Sequence, residues 1–252
     1  MGTRHIAICS QKGGVGKTTT AVTLAHGLAM RGKRVLLVDC DPQGQVATFL
    51  GLRQESGLFD LLVGGRPLAD TVRSADANGN KRPNLTVLPG DKRTATAQIV
   101  MAAEDFRLEV LADALRGARA DYVIFDTAPS ASLLQEGALF ASAWLVSPCA
   151  VDGAAVGGLA GILTTLKALT DHGGRCQLLA VLPTFFDEVT RESRDTLAEL
   201  QRNLGDAVWD PIHRATVLRE AASEAVTIFE KAPASRAAQE YAWVVERVMS
   251  YG

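Results

Sequence analysis

The run Gln11-Lys12-Gly13-Gly14-Val15-Gly16-Lys17-Thr18-Thr19 carries the residue types needed to hold a phosphate. Glycines let a loop turn its backbone N–H groups inward, where no side chain blocks approaching phosphate oxygens. Lys17 is spaced to reach the β- and γ-phosphates of a nucleotide, and the Thr18 hydroxyl to ligate Mg2+. Two carboxylate segments complement this loop. Asp39-Cys40-Asp41 follows the apolar run Val35–Val38, and Pro42 and Gly44 then force a turn. Asp126 closes the run Tyr122–Phe125, the pattern of a carboxylate that holds Mg2+ through water beside a phosphate loop. One departure stands out against G-x-x-x-x-G-K-[ST]: Gln11 occupies the first glycine position, and Lys12 adds a second lysine.

These segments must be brought together by a scaffold, and the hydropathy pattern predicts one. Apolar runs recur with helical stretches between them, the mark of a parallel sheet with crossover helices. Strands are expected at His5–Cys9, Arg34–Asp39, Leu85–Leu88, Tyr122–Asp126, Trp144–Pro148 and Leu178–Leu182. Their centres lack polar alternation, as expected when helices cover both faces. Helices are expected at Thr18–Arg31 (stopped by Gly32), Thr94–Arg116, Leu133–Ala141, Val156–Asp171, Arg191–Leu204 and Ser235–Ser250. The tract Ser74–Asn84, rich in Asn, Gly and charge, predicts a surface loop. The expected fold is a doubly wound, mostly parallel α/β sheet in a single domain over residues 1–252, with no separate N-terminal DNA-binding domain. In such sheets ligands bind beyond the carboxyl ends of the strands, where all three motifs fall.

The run KGGVGKTT resembles the deviant Walker A of the ParA/MinD family of dimeric P-loop ATPases. The resemblance implies ATP and Mg2+ as cofactors, bound by Lys12, Gly13, Gly14, Val15, Gly16, Lys17, Thr18 and Thr19. It also implies that Lys12 crosses a dimer interface to the partner's phosphates. Four anionic oxygens need more cation than one lysine and Mg2+ supply, and a lysine in trans ties nucleotide state to dimerisation. Asp39 to Gly44 is similar to the family's switch I. That likeness implies that Asp41 positions or activates the attacking water and that Asp39 stands in the outer shell of the metal site. Lys12, Lys17 and Asp41 are thus the expected catalytic set, with Thr18, Asp39 and Asp126 around the metal. After Asp126 the family usually reads D-x-P-P; here Ala128 replaces one proline.

The resemblance runs from Arg4 to Tyr251. It takes in Leu58-Phe59-Asp60-Leu61-Leu62, Leu182 to Asp187, Ile212-His213-Arg214, Leu218-Arg219-Glu220-Ala221 and Ser235-Arg236-Ala237-Ala238. It implies a switch that binds nonspecific DNA as an ATP-bound homodimer. A ParB-like or cargo-adaptor protein would then stimulate slow hydrolysis. Arg191, Arg214, Arg219, Lys231 and Arg236 are the candidate DNA contacts, although Val189 and Val217 stand where many members carry arginine. Phe185, Phe186, Pro211 and His213 are candidates for the adenine rim. ATP over GTP follows from the resemblance, and no NKxD-type guanine motif occurs.

Composition bounds the alternatives. The 252 residues are 47% hydrophobic, with 26 basic and 28 acidic side chains, a folding composition. Residues 1–100 carry 13 basic and 7 acidic groups and residues 181–252 carry 8 and 12, so polyanion binding would need a local patch. No apolar run is long enough to span a bilayer, and no secretory segment is read at the start, so a cytoplasmic, nucleoid-associated protein is expected. A MinD-like membrane switch would want a cationic C-terminal helix, and Ser235–Ser250 offers only Arg236 and Arg247. An iron–sulfur donor would want exposed cysteines; Cys9, Cys40, Cys149 and Cys176 fall in or beside apolar runs.

Overall fold

The computed structural model describes residues 2–105, 107–152 and 155–251. Its strands are β1 (Arg4–Ile8), β2 (Val35–Asp39), β3 (Arg73–Ser74), β4 (Leu85–Leu88), β5 (Tyr122–Asp126), β6 (Trp144–Ala150) and β7 (Gln177–Thr184). They form one sheet in the order β3-β4-β2-β5-β1-β6-β7, parallel except at the short edge strand β3. Every residue of β2 and β5 is buried, which is why their apolar runs show no alternation. The register sets Asp39 opposite Asp126 and Ile8 opposite Asp126, so the motif-bearing strand ends are level.

The helices are α1 (Lys17–Met30), α2 (Gln45–Phe49), α3 (Gly57–Leu62), α4 (Leu68–Thr71), α5 (Thr94–Met101), α6 (Val110–Ala114), α7 (Leu133–Ala141), α8 (Ala155–Asp171), α9 (Arg191–Leu204), α10 (Thr216–Ser223), α11 (Ile228–Lys231) and α12 (Arg236–Ser250). One face of the sheet is covered by α1 and α12, through Leu24, Leu28, Val244, Val245 and Val248 against Ile6, Leu37 and Ile124. The other is covered by α5 to α7, through Met101, Leu111 and Leu134, and by α8 and α9, through Leu159, Ile162 and Leu200.

Helix α1 crosses α12 at Gly27. A Cβ built there would lie 2.5 Å from Val245 Cγ2 and 3.0 Å from Phe229 Cε2. Gly27→Ala is therefore expected to destabilise the fold by about 1–3 kcal/mol through overpacking. Alanine's better helix propensity, worth about 1 kcal/mol, works in the opposite direction. Urea denaturation reads the outcome; a raised midpoint would show that α12 yields without strain.

Two expectations are corrected. The helix over Thr94–Arg116, which spans residue 106 outside the described set, is two helices, α5 and α6. A straight helix of that length would run about 34 Å. The break instead lets Met101, Leu111 and Leu115 converge on Phe125. The tract Ser74–Asn84 is not simply a surface loop, because the Arg82 side chain is 0% exposed. Its Nε and one Nη donate to the Glu230 carboxylate at 2.9 and 3.1 Å. The remaining N–H groups donate to the carbonyls of Leu50, Ala75 and Ala225.

Candidate nucleotide site

The loop between β1 and α1 is shaped by glycines at positive φ, Gly14 at 71° and Gly16 at 87°. Gly16 caps α1 in the left-handed region, so the first turn opens with its N–H groups uncovered. Among the described residues, the N–H groups of Gly13 through Thr19 donate to no backbone acceptor. From behind, the Thr184 hydroxyl donates to the carbonyl of Val15 at 2.9 Å, tying the loop to the end of β7. Lys17 is buried and donates to the carbonyl of Lys12 at 2.9 Å; burial lowers its pKa. The result is an uncovered nest of N–H donors beside a buried ammonium, a shape suited to an anion.

Carboxylates meet this nest at the ends of β2 and β5. The Thr18 hydroxyl donates to Asp126 Oδ2 at 2.7 Å, while Asp126 Oδ1 is buried without a partner. Burial pushes the Asp126 carboxyl up to about 7. An orphaned carboxylate oxygen beside a hydroxyl fits a hard cation, since Mg2+ takes one or two protein oxygens and completes its shell with phosphates and water. Asp39 serves its own loop instead. Its two oxygens accept from the N–H groups of Asp41 and Val46, both at 3.1 Å, and burial raises its pKa. The metal-facing pair is thus Thr18 and Asp126, with Asp39 bracing the turn behind them. Asp41 lines the cleft, and one of its oxygens accepts from Gln43 N–H at 2.9 Å.

The cleft has a volume of about 580 Å³ and brings together Gly14, Gly16, Lys17, Thr18, Thr19 and Asp41. A second cavity of about 450 Å³ opens beside it and includes Phe185 and His213. Pro211 is not in either; it lines a separate hollow with Asp210 and Trp243, which corrects its placement at the adenine rim. Phe186 packs edge-on against His213 and faces a cavity on the far side of that ring. Lys12 lies at the outer edge of the loop, its ammonium 2.6 Å from both oxygens of Asp152. Asp152 and Thr184 escape sequence reading: each acts on the loop from more than 130 residues away, with no local pattern.

The candidate DNA cations do not form one patch. Arg191 pairs with Asp195, Lys231 with Glu224, and Arg236 with Glu240 and Glu188. Arg214 and Arg219 line the second cavity instead. The cysteines are all buried. Burial holds the Cys9 and Cys176 thiols at about 12 and the Cys149 thiol at about 11, against the thiolate form that cluster binding needs.

A parallel sheet with an uncovered glycine nest after its central strand, a buried lysine and a hydroxyl–carboxylate pair defines a P-loop nucleotide-binding protein. A family model described as an AAA domain matches residues 3–178. The chromosome-partitioning ATPase Soj of Thermus thermophilus is 39% identical over 98% of this chain and 96% of its own. The chain belongs to the ParA/MinD family of ATPases. Among solved structures, apo McdA from Cyanothece superposes with a TM-score of 0.87 at 24% identity, over 98% of this chain and 100% of that one. Cobyrinic acid a,c-diamide synthase from Mycobacterium smegmatis, with bound ATP analog and magnesium, gives 0.83 at 26%, over 99% and 96%.

Proposed function

We propose that the chain is a ParA-type ATPase that acts as an ATP-driven positioning or segregation switch, with Mg2+ as its metal. The observation that carries this reading is the partnerless Asp126 Oδ1 beside Thr18, next to the uncovered N–H groups of residues 13–19. The N–H nest and Lys17 hold the phosphates, and Thr18 and Asp126 hold the metal. A bound Mg2+ supplies charge neutralisation at the β- and γ-phosphate oxygens. Asp41, fixed by the turn that Asp39 braces, orients the attacking water. Lys12 reaches the phosphates held by a second subunit once it leaves Asp152.

Gly13 supports the dimer. A Cβ built there meets nothing closer than Pro129 Cβ, at 4.0 Å, so the chain itself has room for a side chain. Gly13→Val is expected to bind ATP as a monomer, because only a second subunit would be crowded. Light scattering with ATP checks it, and a variant that still dimerises counts against the sandwich.

In this reading the ATP-bound dimer holds nonspecific DNA through Arg191, Lys231 and Arg236, exchanging their carboxylate partners for phosphates. A ParB-like or cargo-adaptor protein then stimulates hydrolysis and release, which makes the protein nucleoid-associated while ATP is bound. The test is retention on long duplex DNA at two salt concentrations with ATP, with ADP and without nucleotide. Salt-sensitive retention with ATP alone is expected; none in any state would leave an ATPase tethered elsewhere. A membrane tether has little to work with in α12, whose Ala237, Ala238, Tyr241, Val244, Val245 and Val248 are buried against the core. No helix among the described residues is long and apolar enough to cross a membrane.

A further inference from the structure

The second cavity shares Gly16, Thr19 and Phe185 with the phosphate cleft, so one elongated molecule can occupy both. Phe185 forms the divide. Its φ of 55° lies in the left-handed region, a costly conformation for a bulky residue. Neighbouring bonds hold it there: Phe186 N–H donates to the Ile212 carbonyl and Arg214 N–H to the Phe186 carbonyl. The same bonds carry the Arg214 guanidinium over the Phe185 ring, 5.8 Å from its centroid.

Arg214 and Arg219 differ from the other three candidate DNA cations in two respects. Neither has a carboxylate partner among the described residues, and both line this cavity, which no aspartate or glutamate lines. A guanidinium already stacked on one π face is placed to cover another, and it has donors for the ring nitrogens of a purine. A wall without carboxylates has no anionic acceptor for the N1–H and amino group of guanine, which favours adenine.

We infer that Arg214, stacked on Phe185, closes over the nucleobase, with Arg219 beside it, and that both serve the nucleotide and not DNA. The inference rests on the ATP reading. Its test compares ATP, GTP and inorganic tripolyphosphate, each with Mg2+, by calorimetry on the full chain. Wild type should prefer ATP to both. Arg214→Met should weaken ATP about tenfold while leaving tripolyphosphate within about twofold. Arg219→Met should act in the same sense, and Arg214→Lys should not restore affinity, because a lysine keeps the charge but not the stacking plane. DNA retention of Arg214→Met at saturating ATP should match wild type.

Equal losses for ATP and tripolyphosphate would assign Arg214 to phosphate and overturn the inference. So would unchanged ATP affinity with lost DNA retention. Wild type binding tripolyphosphate as tightly as ATP would remove the base pocket alone. Wild type binding neither would bring down the nucleotide reading itself.

Discussion

Asp41→Ala is expected to bind ATP within about threefold of wild type and to lower turnover by about two orders of magnitude, the usual worth of one positioned acid–base group. The separation of the two effects comes from the division of labour at the end of β2. Asp39, not Asp41, supplies the carboxylate that accepts from two N–H groups of the loop, so the turn keeps its shape without the Asp41 side chain. Lys17, Thr18 and Asp126 lie on other segments and are untouched. Phosphate release and ATP-dependent dimerisation, measured together, check this. A dimer that accumulates without turning over is the expected phenotype. Normal turnover would remove Asp41 from its role and leave the water to be oriented by another group.

Arg82→Met is expected to cost about 3–5 kcal/mol of stability, the range found when one partner of a buried ion pair is removed. All five N–H donors of Arg82 are used: two by Glu230, two by Leu50 and Ala75, one by Ala225. Methionine keeps the stem but strands three carbonyls and a largely buried carboxylate. The capping box that Glu230 forms with Thr227 at the start of α11 also loses its anchor. Arg82→Lys should rescue little, since an ammonium has three donors and no planar fork. Denaturant midpoints of the two variants check both statements; a lysine variant as stable as wild type would show that charge alone suffices.

Arg82 also shows where the sequence stops being readable. Within SADANGNKRPN the residue looks like any solvated cation, and its partner lies 148 positions away. The phosphate loop was legible because its chemistry is contiguous: spacing, glycines and flanking strand all fall within Ile6–Thr20. Asp126 was legible because five buried residues in a row announce a strand that must end at the cleft. The break between α5 and α6 was not, since no Gly or Pro falls between Thr94 and Arg116 and only the sheet beneath requires the turn. Pro211 and His213 were both plausible rim residues by type. Their separation into different cavities depends on how the segment after β7 is held, with Ile212 N–H donating to the Pro183 carbonyl. The same applies to Arg214, whose sequence neighbours suggested a polyanion and whose position suggests a base.

The strand order has a consequence for how the protein is made. β1 is hydrogen-bonded between β5 and β6, and β2 also lies against β5, so the site needs residues near 8, 39 and 126 side by side. Such distant pairings carry a large loop-closure entropy before any contact compensates it, and folding dominated by them is slow. On the ribosome the first hundred residues can carry the whole glycine loop and both acids of β2, yet have no β5 to lie against. Nucleotide binding is therefore closed to the nascent chain until at least half of it has emerged, and an early-terminated product would display the loop's sequence without its site.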